Sequence, residues 1–220
     1  MTEPAEKVHV WDAPTRLFHW AVVVLICMSW FSADQGYMIV HLVCGLTLLA
    51  LVLFRIGWGL MGSTTSRFRN FLHPPRKVIG YLAAQAKGAA APHAGHNPAG
   101  GWMVAALLAV LLAQALTGLF GNDGLKFAGP LALLVSADIS DAITRIHGMI
   151  FNVILLLVWL HVVAVGFYYF VKGDNLVAPM VTGHKHRDRV PEGIALVFAH
   201  PLLALGLLAV TAALAASLLF

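Results

Sequence analysis

The amino-acid sequence predicts an all-α integral membrane protein in which a four-helix bundle is followed by a fifth, C-terminal transmembrane helix. Of the 220 residues, 60% are hydrophobic and only 11% are charged, whereas soluble domains carry about 25% charged residues. The apolar residues also form five runs of a length that crosses a bilayer, which takes about 20 residues. Lipid is therefore the solvent for most of the chain, which excludes a soluble enzyme, a disordered chain and a nucleic-acid reader.

The five runs are separated by polar residues or by glycine and proline, and we treat residues 1–220 as a single transmembrane domain. The first run contains His19 and follows an acid-bearing N-terminal segment, which predicts a retained helix and not a signal peptide. The longest connection, residues 61–100, contains helical spacing at 78–85 and predicts a short interfacial helix. The predicted spans are 16–33, 37–60, 102–121, 144–171 and 193–219.

The basic residues predict how the chain crosses the membrane. Of the 14 Lys and Arg residues, all but Lys126 and Arg145 fall in connections on one side. Because positive residues stay on the cytoplasmic side, we expect the N-terminus in the cytoplasm and the C-terminus of this five-span chain on the outer side. This asymmetry also accounts for the net charge of +4 without a nucleic-acid partner.

Five of the eleven histidines lie within predicted spans, where an ionisable side chain by default indicates a functional site. Counted from the outer end of each helix, His41 and His147 lie roughly 8 Å deep, and His19 and His161 roughly 22 and 28 Å deep. His147 and His161 are 14 residues apart on one helix, which is about 40° short of four whole turns, so they face the same way. The sequence therefore predicts an outer pair, His41 with His147, and an inner pair, His19 with His161.

Two imidazoles on facing helices fit the axial ligation of a haem iron, whereas a zinc site takes four ligands, or three with an open position. Gly45, Gly148 and Gly166 lie near the ligands and leave room for a flat macrocycle. No CxxCH motif occurs, which excludes covalent c-type attachment. These features predict a four-helix haem-binding bundle with two stacked haems. Iron with two axial histidines has no open position, so the predicted chemistry is electron transfer.

Two other classes of function stay open at this point. A histidine-relay transporter or channel would use the same intramembrane imidazoles to carry protons or metal ions. A membrane anchor would use the helices to recruit a soluble oxidoreductase, with haem incidental to that role. No internal repeat is visible, and intramembrane carboxylates are scarce, which weighs against the transporter.

The segment VWDAPTRLFHW at 10–20 resembles the N-terminal signature of bacterial di-haem b-type cytochromes. This family includes cytochrome b561 and the cytochrome b subunits of nickel-iron hydrogenases and formate dehydrogenases. The four paired histidines match its ligand positions, and GHNP at 95–98 and the segment 172–183 are also similar to its members. The resemblance covers about residues 8–185, and the fifth helix is an addition to the smallest members.

The resemblance implies a bacterial inner membrane protein with its C-terminus in the periplasm. It also implies two non-covalent b haems that exchange electrons between ubiquinone or menaquinone and a redox partner. The partner would be a hydrogenase, another dehydrogenase or a c-type cytochrome. A superoxide:quinone oxidoreductase is an alternative within the same family, and a homodimer is an open possibility. Relatives in the formate dehydrogenase branch bind quinone just ahead of the third helix, which implies His96, Asn97 and Gly100 here. Asn97 is equally interpreted as a helix cap.

Haem propionates need cationic or hydrogen-bonding partners at the membrane edges. Arg145, two residues before His147, is the predicted partner for the outer haem, and Arg16, one turn before His19, for the inner haem. Topological anchoring is the competing role of both. His200 has no partner at its depth and is interpreted as structural, and most tryptophans are expected at the membrane interfaces. The histidines expected to be solvated are His9, His73, His93, His184 and His186.

Overall fold

A computed structural model describes residues 6–220 of the chain. Within this range, five helices are long and apolar enough to cross a membrane, the last of them running on to Leu219 through a final turn. The chain is therefore a multi-pass, all-α membrane protein, as predicted. The elements in chain order are β1 (Lys7–His9), α1 (Ala13–Asp34), α2 (Met38–Met61), α3 (Phe68–Phe71), α4 (Pro75–Ala86), α5 (Pro98–Phe120), α6 (Ala137–Phe170), α7 (Val177–Thr182), β2 (His184–His186) and α8 (Pro201–Ala216).

The predicted short helix between the second and third spans is confirmed as α4. It opens with Pro75 at its first position, where the missing N–H of proline costs nothing. The strands β1 and β2 form a small antiparallel pair in which His9 lies opposite His184.

Two predicted span starts differ markedly from the structure. The fourth spanning helix begins at Ala137 and not at residue 144, because its first turns are polar and hydropathy does not register them. Asp138 in that first turn is favourable beside the positive end of the helix dipole. The fifth begins at Pro201 and not at 193, because residue 200 precedes a proline and disfavours helix. Val197 in the preceding segment accepts a hydrogen bond from the Thr64 N–H at 2.9 Å.

The described chain forms two compact units. Unit one comprises residues up to Leu17, Gly57–Ala105 and Trp159–Ala204, and unit two comprises Phe18–Ile56, Ala106–Val158 and Leu205–Phe220. In unit one, a buried cluster is formed by Val10, Trp11, Ala94 and Val190. In unit two, a buried cluster is formed by Leu46, Leu49 and Leu119.

The side chain of Asp12, within the motif at 10–20, accepts hydrogen bonds from three residues. Its Oδ1 accepts the N–H of Thr15 at 2.9 Å, which caps the first turn of α1. Its Oδ2 accepts hydrogen bonds from the indole N–H of Trp58 at 3.0 Å and from the hydroxyl of Ser66 at 3.3 Å. Trp11 and Trp58 are both buried, and the indole of Trp58 is held by this carboxylate.

Gly183 joins the two distant segments that carry the family resemblance. Its carbonyl accepts the N–H groups of Val10 at 2.8 Å and Trp11 at 3.1 Å. Its φ is +86°, and a Cβ atom at this position would lie 3.0 Å from the carbonyl oxygen of Trp11. Only glycine fits such a position, because the left-handed backbone and the close approach both exclude a side chain.

Candidate functional site

The outer pair of histidines meets within unit two. The ring centroids of His41 and His147 lie 6.0 Å apart, with the ring planes 79° to each other. Metal–imidazole bonds of about 2 Å put the centroids of two rings on opposite sides of one metal ion about 6 Å apart. The separation of these two rings is therefore that of two axial ligands, and their assignment as ligands stays a prediction.

Backbone carbonyls hold the Nδ1 atom of each ring. Nδ1 of His41 donates to the Ser29 carbonyl at 2.9 Å, and Nδ1 of His147 donates to the Gln114 carbonyl at 3.0 Å. A neutral imidazole that donates from Nδ1 carries its lone pair on Nε2. Both rings are thus fixed in the tautomer that binds a metal through Nε2, and carbonyl acceptors are common second partners of metal-binding histidines.

Helix α5 carries none of the four paired histidines, yet it surrounds His147. The side-chain amide of Gln114 donates to His147 Nε2 at 3.0 Å, and the Thr117 hydroxyl lies 3.1 Å from Nδ1. A Cβ atom at Gly118 would lie 3.1 Å from Cε1 of the same ring. Sequence reasoning missed these residues, although an amide in an apolar span is a signal that could have found Gln114.

A cavity of about 290 Å³ opens beside the two rings and is lined by unit-two residues of α1, α2, α5, α6 and the loop after α5. This volume is near the lower limit of small-molecule sites, about 300 Å³. Most of the lining is apolar, and glycine contributes at three positions, Gly118, Gly121 and Gly148. Gly148 lies where the sequence predicted room for a macrocycle, whereas Gly45 and Gly166 are not among the lining residues.

This site fits a bis-histidine haem in its donor set and surroundings. Two neutral imidazoles present Nε2 lone pairs, and the wall between the helices is apolar and free of large side chains at the glycines. The amide of Gln114 occupies the lone pair of His147, so iron binding there requires this flexible side chain to turn aside.

The inner pair is divided between the two units. His19 belongs to unit two, where its ring lies 4.9 Å from that of Trp20. His161 is a half-buried residue of unit one. Their pairing across the bundle stays a prediction from the sequence.

The two arginines predicted to bind propionates have different surroundings. Arg16 donates from Nη1 to the Val181 carbonyl at 2.5 Å, which ties the start of α1 to α7. Arg145 is exposed and forms no hydrogen bond or ion pair with any residue from 6 to 220. The structure therefore gives Arg16 a role that the sequence did not indicate, and the propionate assignments stay predictions.

The three residues implied for quinone binding lie together at the start of α5. The Asn97 Oδ1 accepts the N–H of Gly100 at 2.7 Å, which is the helix cap offered as its alternative role. The Asn97 amide also donates to the hydroxyl of Tyr168 at 2.9 Å. The ring of His96 lies between Trp11 and Phe71, with centroid distances of 4.8 and 4.7 Å.

His96 also lines a cavity of about 180 Å³ within unit one, together with His93. The expectation that His93 is solvated is wrong. It is half-buried, and its ring packs edge-on against Tyr81 with centroids 5.5 Å apart. Burial lowers the pKa of His93, and the nearby charges of Lys185 and Lys77 lower it further.

Two other histidines have structural contacts. His200 accepts the N–H of Leu202 at 3.2 Å through Nδ1, in line with its structural interpretation. His9 stacks between His184 and Phe198, with centroid distances of 4.9 and 4.3 Å.

In unit two, apolar helices bring two carbonyl-held imidazoles together beside a cavity, an arrangement typical of membrane proteins that hold a cofactor between their helices. The sequence model of prokaryotic cytochrome b561 matches residues 10–183, and the chain belongs to that family. It is a b-type, haem-binding cytochrome that transfers electrons in the membrane. No curated protein and no solved structure matches the chain.

Proposed function

We propose that this protein carries electrons across the bacterial inner membrane through two b haems, between the quinone pool and a redox partner protein. The single observation that carries the proposal is the close approach of the His41 and His147 rings, with centroids 6.0 Å apart and each Nδ1 donating to a carbonyl. Bound haem would supply reversible one-electron chemistry.

At the outer site, residues of the chain would bind the iron, orient its ligands and limit the access of water. His41 and His147 would hold the iron, and the Ser29 and Gln114 carbonyls, which keep the rings oriented, would raise their basicity as ligands. The apolar cavity wall limits water and lowers the local dielectric, which sets the potential together with the axial ligands.

At the inner site we propose His19 and His161 as ligands, and Arg16 and Arg145 as propionate partners for the inner and outer haem. Support for the inner pair comes from its matched depth and from the same-face spacing of His161 with His147. We propose that ubiquinone or menaquinone binds near His96, Asn97 and Gly100, where an imidazole borders a cavity. The redox partner would be a hydrogenase, another dehydrogenase or a c-type cytochrome.

Haem content and spectra of the purified protein test the proposal. The expected result is a b-type α-band in the reduced-minus-oxidised spectrum and two haems per chain. His41→Ala and His147→Ala should each lose the outer haem and retain the inner haem with its midpoint potential unchanged. His19→Ala and His161→Ala should each lose the inner haem and retain the outer haem with its midpoint potential unchanged.

His200→Ala is the matched control, because this histidine lies at the start of a spanning helix and caps it without belonging to either pair. It should retain both haems. A protein without the b-type band would overturn the proposal. Loss of the same haem in His41→Ala and His19→Ala would overturn the pairing. Reduction of the wild type by a soluble quinol analogue under anaerobic conditions tests the quinone assignment separately.

A further inference from the structure

Two tyrosine hydroxyls from different helices meet next to the proposed quinone residues. The hydroxyl oxygens of Tyr81 on α4 and Tyr168 on α6 lie 2.5 Å apart. The Asn97 amide donates to the same Tyr168 oxygen at 2.9 Å. Because Oδ1 of Asn97 is fixed by the Gly100 N–H, the NH₂ end of the amide must face Tyr168. The three side chains therefore form one connected hydrogen-bonded chain.

In this hydrogen-bonded chain of side chains, either tyrosine hydroxyl can donate its hydrogen to the other. A phenol oxygen has one hydrogen to donate and two lone pairs that accept. Tyr168 can accept from Asn97 and donate to Tyr81, or accept from both, and each arrangement leaves the Asn97 donor satisfied. Two interchangeable hydroxyl orientations are the property that a proton relay requires.

The surroundings keep the Tyr81 hydroxyl protonated. Burial, the hydrogen bond to Tyr168 and the nearby negative charge of Asp174 all raise the pKa of Tyr81 above its ordinary value. Asp174 is itself paired with Lys185 at 3.1 Å. The pair of phenols can therefore pass a proton on without forming a stable phenolate.

His93 connects the tyrosines to the cavity at the start of α5. Its ring packs against Tyr81, and it lines the same 180 Å³ cavity as His96. Its lowered pKa keeps the ring neutral near pH 7, so it can both accept and donate a proton. The other charged or titratable groups near these side chains are Asp174, Lys185, His73, Lys77 and Lys172, whose Nζ donates to the Gln85 carbonyl at 3.4 Å.

We infer that Tyr81 and Tyr168 relay protons between water at this end of the molecule and the quinone that the proposed function places near His96. The inference rests on that proposed quinone chemistry. Reduction of one quinone to quinol takes two electrons, which the redox partner supplies through the haem chain, and two protons, which enter through the tyrosine pair. Quinol oxidation returns the same electrons and protons by the reverse route.

Tyr81→Phe and Tyr168→Phe test the relay, because each removes one hydroxyl and keeps the ring. Tyr169→Phe is the matched control. Tyr169 is the next residue of the same helix, is 51% exposed, and has no side-chain hydrogen bond to another residue of 6–220. The full-length haem-loaded proteins, reconstituted in lipid nanodiscs, are mixed with a soluble quinol analogue, and haem reduction is followed in H₂O and D₂O from pH 6 to 9.

Each relay variant should be reduced by quinol at least about tenfold more slowly, below the usual 10²-fold of a lost acid–base group because water can substitute in part. The solvent isotope effect should rise, since proton transfer then limits the rate. Haem content, midpoint potentials and reduction by dithionite should stay unchanged. The double variant should be no slower than the slower single variant, because both hydroxyls act in one series.

Rates and isotope effects equal to those of Tyr169→Phe would overturn the relay and leave the proposed function standing. A wild type that quinol does not reduce would instead overturn the quinone assignment itself. If Tyr168→Phe accumulates without haem, the Tyr81→Phe comparison alone decides, because Tyr81 lies outside the spanning helices.

Discussion

Gln114 contacts both ring nitrogens of His147. Its backbone carbonyl accepts the Nδ1–H at 3.0 Å, and its side-chain amide donates to Nε2, also at 3.0 Å. One residue of α5 therefore orients a histidine of α6 and selects its tautomer. This relationship gives the third spanning helix a part in the candidate site, although it supplies neither member of a histidine pair.

Gly118→Ala should weaken haem binding at the outer site. The new methyl group would lie 3.1 Å from Cε1 of His147 and push the ring away from His41. Loss of a supporting contact around a metal ligand typically costs 10- to 100-fold in affinity. We expect about one haem per chain after purification, measured from the haemochrome spectrum. Gly206→Ala on α8, where a Cβ would meet nothing within 4 Å, should keep the wild-type content.

Gln114→Leu should raise the midpoint potential of the outer haem. The change replaces a polar amide with an apolar side chain of similar size, and a less polar site disfavours the extra positive charge of the ferric state. The expected shift is on the order of 60 mV, which is tenfold in the one-electron equilibrium. Redox titration monitored at the α-band measures it. Gln35→Leu, at an exposed glutamine bonded to Asp34, should leave both potentials unchanged, and an equal shift there would contradict the assignment.

Asp12→Ala should lower the free energy of unfolding by about 3 kcal/mol. The change removes the cap of α1, worth about 1 kcal/mol, and leaves the indole N–H of Trp58 buried without its acceptor, worth about 1–3 kcal/mol. Thermal unfolding in detergent gives the comparison. Asp188→Ala, whose side chain is 73% exposed, is the control and should have little effect. Combined with Trp58→Phe, Asp12→Ala should cost less than the sum of the two.

Gly183→Ala and Gly193→Ala separate backbone conformation from steric contact. Both glycines have positive φ, +86° and +71°, so each alanine incurs about 1–2 kcal/mol. Only at Gly183 would the methyl group also meet the Trp11 carbonyl, at 3.0 Å. We expect Gly183→Ala to be clearly the less stable protein in thermal unfolding. Equal losses would show that the contact with the motif at 10–20 contributes nothing.

The loop between α5 and α6 should loosen at acidic pH. The Asp123 carboxylate accepts the N–H groups of Leu125, Phe127 and Lys126, which lowers its pKa below 3.8. A lowered folded-state pKa stabilises the loop above pH 3.8, and this contribution is lost as the pH falls through the lowered value. Amide hydrogen exchange of residues 125–127, corrected for the intrinsic pH dependence, should show protection falling there. In Asp123→Ala the protection should be low at every pH.

The membrane class could be read from the sequence because it follows from a local property of the chain. An apolar run of about 20 residues spans a bilayer regardless of its neighbours, and helical periodicity puts His147 and His161 on one face. The short helix at 75–86 was likewise predictable from its own spacing. The start of α6 at Ala137 was not, because hydropathy reports the apolar part of a helix and its first turns are polar.

The sequence alone thus determined an all-α membrane protein of the cytochrome b561 family, and it predicted histidine pairs at two depths. Tertiary structure decided what surrounds them. The contacts of Gln114 with His147, of Tyr81 with Tyr168 and of Asp12 with Trp58 join residues 33, 87 and 46 positions apart in the chain. Such contacts depend on how separate helices pack. The sequence of one segment does not specify which residue of another segment will lie against it.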